Sequence, residues 1–89
     1  MWKESVIIIK EIISNLRYVK FETLDKLLKL FGYKPKQLRR GSSHYVYRKP
    51  GANPITVPYK RPFLKEVYIK HVIKILNLEE FYEKYCRKD

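Results

Sequence analysis

His44-Tyr45-Val46-Tyr47-Arg48-Lys49-Pro50-Gly51-Ala52-Asn53-Pro54-Ile55-Thr56-Val57 is the stretch that decides the fold of this 89-residue chain. His44 to Lys49 is a run of aromatic and β-branched residues with basic ends, the composition of a strand. Pro50 to Pro54 is dense turn chemistry, and Ile55-Thr56-Val57 is a second short strand after it. The spacing therefore predicts a β-hairpin. Side chains alternate along a strand, so His44, Val46 and Arg48 share one face while Tyr45, Tyr47 and Lys49 share the other.

Working outward, residues 34–40 supply a third, preceding strand whose start is restricted by Pro35. Further upstream the period changes from 2 to 3.6. Residues 4–16 carry Val6, Ile9, Ile12, Ile13 and Leu16 at helical spacing. Ile7 and Ile8 break that pattern, which predicts a helix apolar on most sides and clamped by the rest of the fold. After a link at Arg17–Phe21, a second helix is expected from about Thr23 as its N-cap, with Leu24, Leu27, Leu28 and Phe31 on one face and Gly32 as its stop. Downstream, a helix over Leu64–Leu76 would bury Ile69, Val72, Ile73 and Leu76. A short charged helix over 79–87 carries Phe81, Tyr82 and Tyr85. The order is that of an α+β fold, a three-stranded antiparallel sheet with helices packed on one face. No repeat, low-complexity segment or linker divides the chain, and its length suits one domain.

Charge is confined in an unusual way. The net charge is +11, yet between Lys26 and Lys65 there are 11 Lys or Arg residues and no Asp or Glu. The nine acids are Glu4, Glu11, Glu22, Asp25, Glu66, Glu79, Glu80, Glu83 and Asp89. His44 is the one histidine inside that acid-free window. Fixed positive charge around a titratable imidazole suits polyphosphate chemistry, and RNA is the first substrate to consider. The single cysteine, Cys86, has no internal disulfide partner, which favours a reducing compartment. The longest apolar run, Val6-Ile7-Ile8-Ile9, is too short for a membrane span or a signal-peptide core, so a cytoplasmic protein with no membrane contact is expected. There is no glycine-rich phosphate loop, no carboxylate cluster for magnesium and no Cys/His set for zinc, so neither a cofactor nor a metal is expected.

Gly41-Ser42-Ser43-His44, the strand Tyr45–Tyr47, Arg48-Lys49-Pro50-Gly51 and Thr56-Val57-Pro58 follow one another in an order that resembles the HicA family of small mRNA interferase toxins. Leu27 to Tyr33 is similar to that family's first helix and its closing glycine, and Ile69–Leu78 to its last. The resemblance covers roughly residues 21–81. It implies a fold like a double-stranded-RNA-binding domain over residues 21–89, preceded by an N-terminal helical extension over residues 1–20, the whole a single compact domain. It also implies a metal-independent endoribonuclease that cleaves mRNA and arrests translation and growth, with His44 as the catalytic histidine. A HicB-like antitoxin would mask the His44 region, and contact with DNA would come only through that antitoxin. Two departures concentrate the assignment on one residue. Many members have a second histidine after the first, where this chain has Tyr45, and another after Val-Pro, where it has Tyr59-Lys60.

The residues themselves support such chemistry. RNA carries its own nucleophile, the 2′-hydroxyl, so cleavage needs only proton transfer and charge stabilisation. An imidazole, whose ordinary pKa is about 6.5, can serve as base or acid. Guanidinium groups hold phosphate oxygens in a bidentate fork, and the sequence-near donors are Arg39, Arg40, Arg48, Lys60 and Arg61. Gly41 allows close approach of the backbone to a phosphate, while Ser42 and Ser43 offer hydroxyl and N–H donors. The second proton carrier is open between Tyr45, Tyr47, Tyr59 and solvent. His71, in the last helix, has no motif around it and reads as structural or solvent-facing; Trp2 reads as core or interface material. Two competing readings remain: a non-catalytic module that binds double-stranded RNA, and an assembly protein that holds a partner.

Overall fold

The hairpin forms as its turn chemistry requires. Pro50 and Gly51 are the central residues of a tight turn closed by the Ala52 amide donating to the Lys49 carbonyl at 3.1 Å. Gly51 has φ +78°, the left-handed value that the third position of a type II turn demands and that glycine adopts without steric cost. The computed structural model describes residues 2–37 and 43–86. In it β2 (His44–Arg48) lies between β1 (Lys34–Gln37) and β3 (Ile55–Pro58) in a three-stranded antiparallel sheet. Tyr45 faces Val57 and Tyr47 faces Ile55 across one pair; Lys34 faces Arg48 and Lys36 faces Val46 across the other. The part of the expected first strand beyond Gln37 lies outside the described residues.

The helices cover one side of this sheet. α1 (Trp2–Ser14), α2 (Phe21–Leu30) and α3 (Glu66–Ile75) bring Ile8, Ile9, Ile12, Leu24, Leu27, Leu28, Ile69 and Val72 into one core with Tyr47, Ile55 and Val57 from the sheet. A fully buried Leu or Ile contributes roughly 1.5–3 kcal/mol, so removing the first helix would open the core rather than trim an appendage. The buried row of α1 is Ser5, Ile8, Ile9 and Ile12, with Val6, Ile13 and Leu16 half-buried at its margins and Ile7 59% exposed. Of the two residues that break the sequence pattern, Ile8 therefore belongs to the core and Ile7 to the surface.

Two helix boundaries differ from the sequence expectation. α2 starts at Phe21 with Lys20 at the cap and no side-chain cap bond, so Thr23 sits inside the first turn. The start is held instead by apolar contact, since Val19 and Leu24, both buried, stand where residues flanking a helix start staple it. α3 starts at Glu66, later than Leu64, because Leu64 is buried and its amide donates to the Val19 carbonyl at 2.8 Å. The end of α2 is as expected. Gly32 has φ +95°, its amide reaches the Lys29 carbonyl at 3.0 Å, and the Tyr33 amide reaches the Leu28 carbonyl at 2.9 Å. That pair of bonds is a Schellman motif, and it turns the chain from α2 into β1.

After α3, Asn77 adopts a left-handed conformation at φ +56° and donates to Glu80 Oε1 at 2.7 Å, which reverses the chain into α4 (Leu78–Phe81). The last described turn, Tyr82–Cys86, is a π-helix. The architecture is α+β, as the sequence predicts.

Candidate nucleic-acid interface

The side of the sheet away from the helices carries Lys34 and Lys36 from β1, His44, Val46 and Arg48 from β2, and Thr56 and Pro58 from β3. Val46 is only 5% exposed yet takes no part in the main core. It floors a shallow depression of about 320 Å³ walled by Lys36, Gln37 and Arg48. His44 stands two residues before Val46 on the same face. Every carboxylate among the described residues sits instead on a helical segment: Glu4 and Glu11 on α1, Glu22 and Asp25 on α2, Glu66 on α3, Glu79 and Glu80 on α4, Glu83 in the π-turn. No ion pair joins Lys34, Lys36, Arg48 or Lys60 to an acid among the described residues.

Several of these acids are engaged where they stand. Lys26 Nζ lies 2.8 Å from Glu4 and holds that carboxyl below its usual range, by hydrogen bond first and charge second. Lys29 Nζ lies 3.0 Å from Asp25, and Arg17 and Lys70 flank Glu66. Charge is thus segregated by layer, with mixed and paired signs on the helices and positive sign alone on the open sheet face.

The predicted site residues are sorted by this geometry. Ser43 and His44 lie at the start of β2, and both are exposed. Pro58 faces His44, and the Ser43 carbonyl accepts from the Tyr59 amide, so the Tyr59-Lys60 segment runs beside the histidine. Arg48 shares the face but sits four residues along β2, about 13 Å away at strand spacing. Arg61 is drawn elsewhere: its Nε donates to the Tyr59 hydroxyl, and its guanidinium lies 3.6 Å from Glu22. Those neighbours, the phenol first and Glu22 behind it, raise its pKa and hold it charged. Arg39, Arg40, Gly41 and Ser42 lie outside the described residues.

The tyrosines offered as second proton carriers all point to the helix side. The Tyr47 hydroxyl donates to Asp25 Oδ1 at 2.6 Å, and burial followed by that hydrogen bond pushes its pKa well above the ordinary phenol value. Tyr45 and Tyr59 pack their rings on Phe21, with centroids 5.2 and 4.8 Å away. None of the three shares a face with His44. His71 is exposed on α3, also away from the open face.

Sequence reasoning missed Lys34 and Lys36. Their signal was present as Lys-Pro-Lys in a segment already assigned to a strand, because residues two apart on a strand share a face. Only the register, which pairs Lys36 with Val46 and Lys34 with Arg48, shows that they join the face of His44.

Among the described residues no three His, Cys, Asp or Glu side chains are grouped to hold a metal ion, and no helix is long and apolar enough to cross a membrane. Comparison of the chain with known protein families, with curated proteins and with solved structures finds no match.

Proposed function

We propose that this protein is a metal-independent endoribonuclease that cleaves mRNA, the toxin of a toxin–antitoxin pair of the HicA kind, with His44 as its proton-transfer group. One observation carries the reading: His44 lies on an open sheet face where Lys34, Lys36 and Arg48 stand without any carboxylate among the described residues. The succession of helix, three antiparallel strands and helix also accords with the double-stranded-RNA-binding-like scaffold that the resemblance implies.

In the proposed reaction the RNA 2′-oxygen attacks the adjacent phosphorus as the bond to the 5′-oxygen breaks. The 2′-hydroxyl proton is taken up and a proton is delivered to the leaving oxygen. The products are a 2′,3′-cyclic phosphate and a 5′-hydroxyl. His44 carries one of the two transfers, a contribution of roughly 100-fold to 10,000-fold. Solvent carries the other, since the tyrosines lie on the far side of the sheet. Lys36, with Lys60 from the segment beside Ser43, supplies fixed positive charge for the phosphorane, and a preorganised cation needs no reorganisation as that charge develops. The same charge invites an acidic antitoxin that occludes the face by charge and bulk, in the cytoplasm where its mRNA target lies. Any contact with DNA would be the antitoxin's.

The test is cleavage of a labelled mRNA by the purified chain in excess EDTA, with His44→Ala beside it. Cleavage by the wild type alone, leaving 5′-hydroxyl ends, is expected. If neither protein cuts while both bind and shift the RNA, the face is a binding surface only and the nuclease reading falls; 5′-phosphate ends would overturn the mechanism.

A further inference from the structure

At the end of the sheet beyond Arg48, between the open face and the end of α2, lies a second, larger cleft that the cleavage chemistry does not use. Its volume is about 470 Å³, and Gly32, Lys34, Arg48, Lys49, Pro50 and Pro54 are among its walls. Three of these are cations, and among the described residues no carboxylate lines it. Lys34 and Arg48 are directly opposed in the β1–β2 register. Like charges directly opposed across strands destabilise a sheet, and nothing among the described residues offsets them. Lys49 adds a third charge, its ammonium held 5.3 Å from the centre of the Tyr33 ring and its aliphatic stem lying over Gly32.

Arg48 is common to both cavities, because it also walls the depression over Val46 beside His44. The two are therefore successive parts of one track. Along β1, Lys34 and Lys36 are about 6.6 Å apart, close to the separation of successive phosphates on an extended nucleic-acid strand. A protein that neutralises phosphates in sequence gains affinity from each, and needs no base contact to do so.

We propose that this cleft is a phosphate subsite for single-stranded RNA, engaging the strand one or more nucleotides away from the bond presented to His44. This rests on the reading of the open face as an RNA surface. Lys34, Arg48 and Lys49 hold the phosphodiester, and Pro50 and Pro54 give the sugar and base an apolar wall. The substrate is then an extended strand that follows β2, and a dinucleotide is too short to occupy both parts.

The experiment uses 2′-O-methyl oligouridylates, which keep the phosphates and remove the nucleophile. Binding of a dinucleotide and of an octanucleotide to wild type and to the Lys34→Gln, Lys49→Gln double variant is followed by fluorescence anisotropy across a salt series. The octanucleotide is expected to bind the variant more weakly, with a log K against log salt slope lower by about 0.7, for the one phosphate that the variant no longer neutralises. The dinucleotide is expected to show no such weakening. Unchanged octanucleotide binding would overturn the subsite. So would a loss confined to duplex RNA, or a loss seen with an acidic polypeptide and not with RNA. Since the readout is binding alone, failure of the nuclease proposal is seen separately: the octanucleotide result would stand while unmodified RNA went uncut.

Discussion

The two faces of β2 are built from alternate residues of one short strand, and they have almost nothing else in common. Tyr45 and Tyr47 look toward the helices, where they join Ile55 and Val57 against Phe21 and the leucines of α2. His44, Val46 and Arg48 look away, toward lysines and solvent. On the first face no buried side-chain polar atom among the described residues lacks a partner, the Tyr47 hydroxyl being given to Asp25. On the second, like charges are held close together with no opposing acid among the described residues, an arrangement that costs stability unless an anion is present. Packing and binding have been separated by parity, so that residues adjacent in sequence serve opposite ends.

The largest break of this comparison comes from neighbours on β3. Ile55 is fully buried and Thr56 is exposed on the open face. Ile55→Ala is expected to cost about 2–5 kcal/mol by leaving a cavity. Thr56→Ala should cost less than about 1 kcal/mol, the span of strand propensity at an exposed position. Urea unfolding of both variants measures the difference. Comparable losses would mean that the open face is covered by something that the sheet and helices do not supply.

A smaller and more specific break is Tyr47→Phe. It removes the hydrogen bond to Asp25 while keeping the ring, and a bond to a charged acceptor is worth about 1.5–3 kcal/mol. Its pH dependence has a definite sign. The phenol ionises near pH 10 in the unfolded chain and resists ionisation in the folded one, so the unfolded state loses the proton first. Stability from this group is full below about pH 10 and declines as pH rises past it. The gap between wild type and Tyr47→Phe should therefore narrow in alkaline solution; a gap that widened there would mean that the phenol is not kept neutral by the fold.

The hairpin, its turn and the parity of β2 were legible in the sequence because each depends on residues close together in the chain. Gly32 and Gly51 were legible for the same reason, as positive φ belongs to a turn's own geometry. The start of α2 was not, since Thr23 has the local signature of a cap while Val19, Phe21 and Leu24 fix the start through burial. The apolar face of α1 was legible at Val6, Ile9, Ile12, Ile13 and Leu16, all in or against the core, but Ile7 and Ile8 are chemically alike and only the fold shows that the second is buried and the first exposed. His44 with Arg48 could be read from one strand. Lys34 and Lys36 could not join them without the register between two strands, nor could Arg61 be separated from them without knowing that Glu22, distant in sequence, stands beside it.

Arg61 and Lys36 give the finest test of where the track ends. Both are exposed cations, and from sequence alone Arg61 is the better phosphate ligand, since its guanidinium can fork onto two oxygens. In the fold its Nε is committed to Tyr59 and its charge is opposed by Glu22, whereas Lys36 stands beside Val46 on the open face. Lys36→Ala should therefore lower the salt slope of single-stranded RNA binding by about 0.7, and Arg61→Ala should leave it unchanged. Equal losses from the two substitutions would mean that bound RNA displaces Glu22 and turns around the end of β3 toward the helices. Cation placement along the sheet would then be a poor guide to its path, and parity would separate packing from binding less cleanly than the free fold indicates.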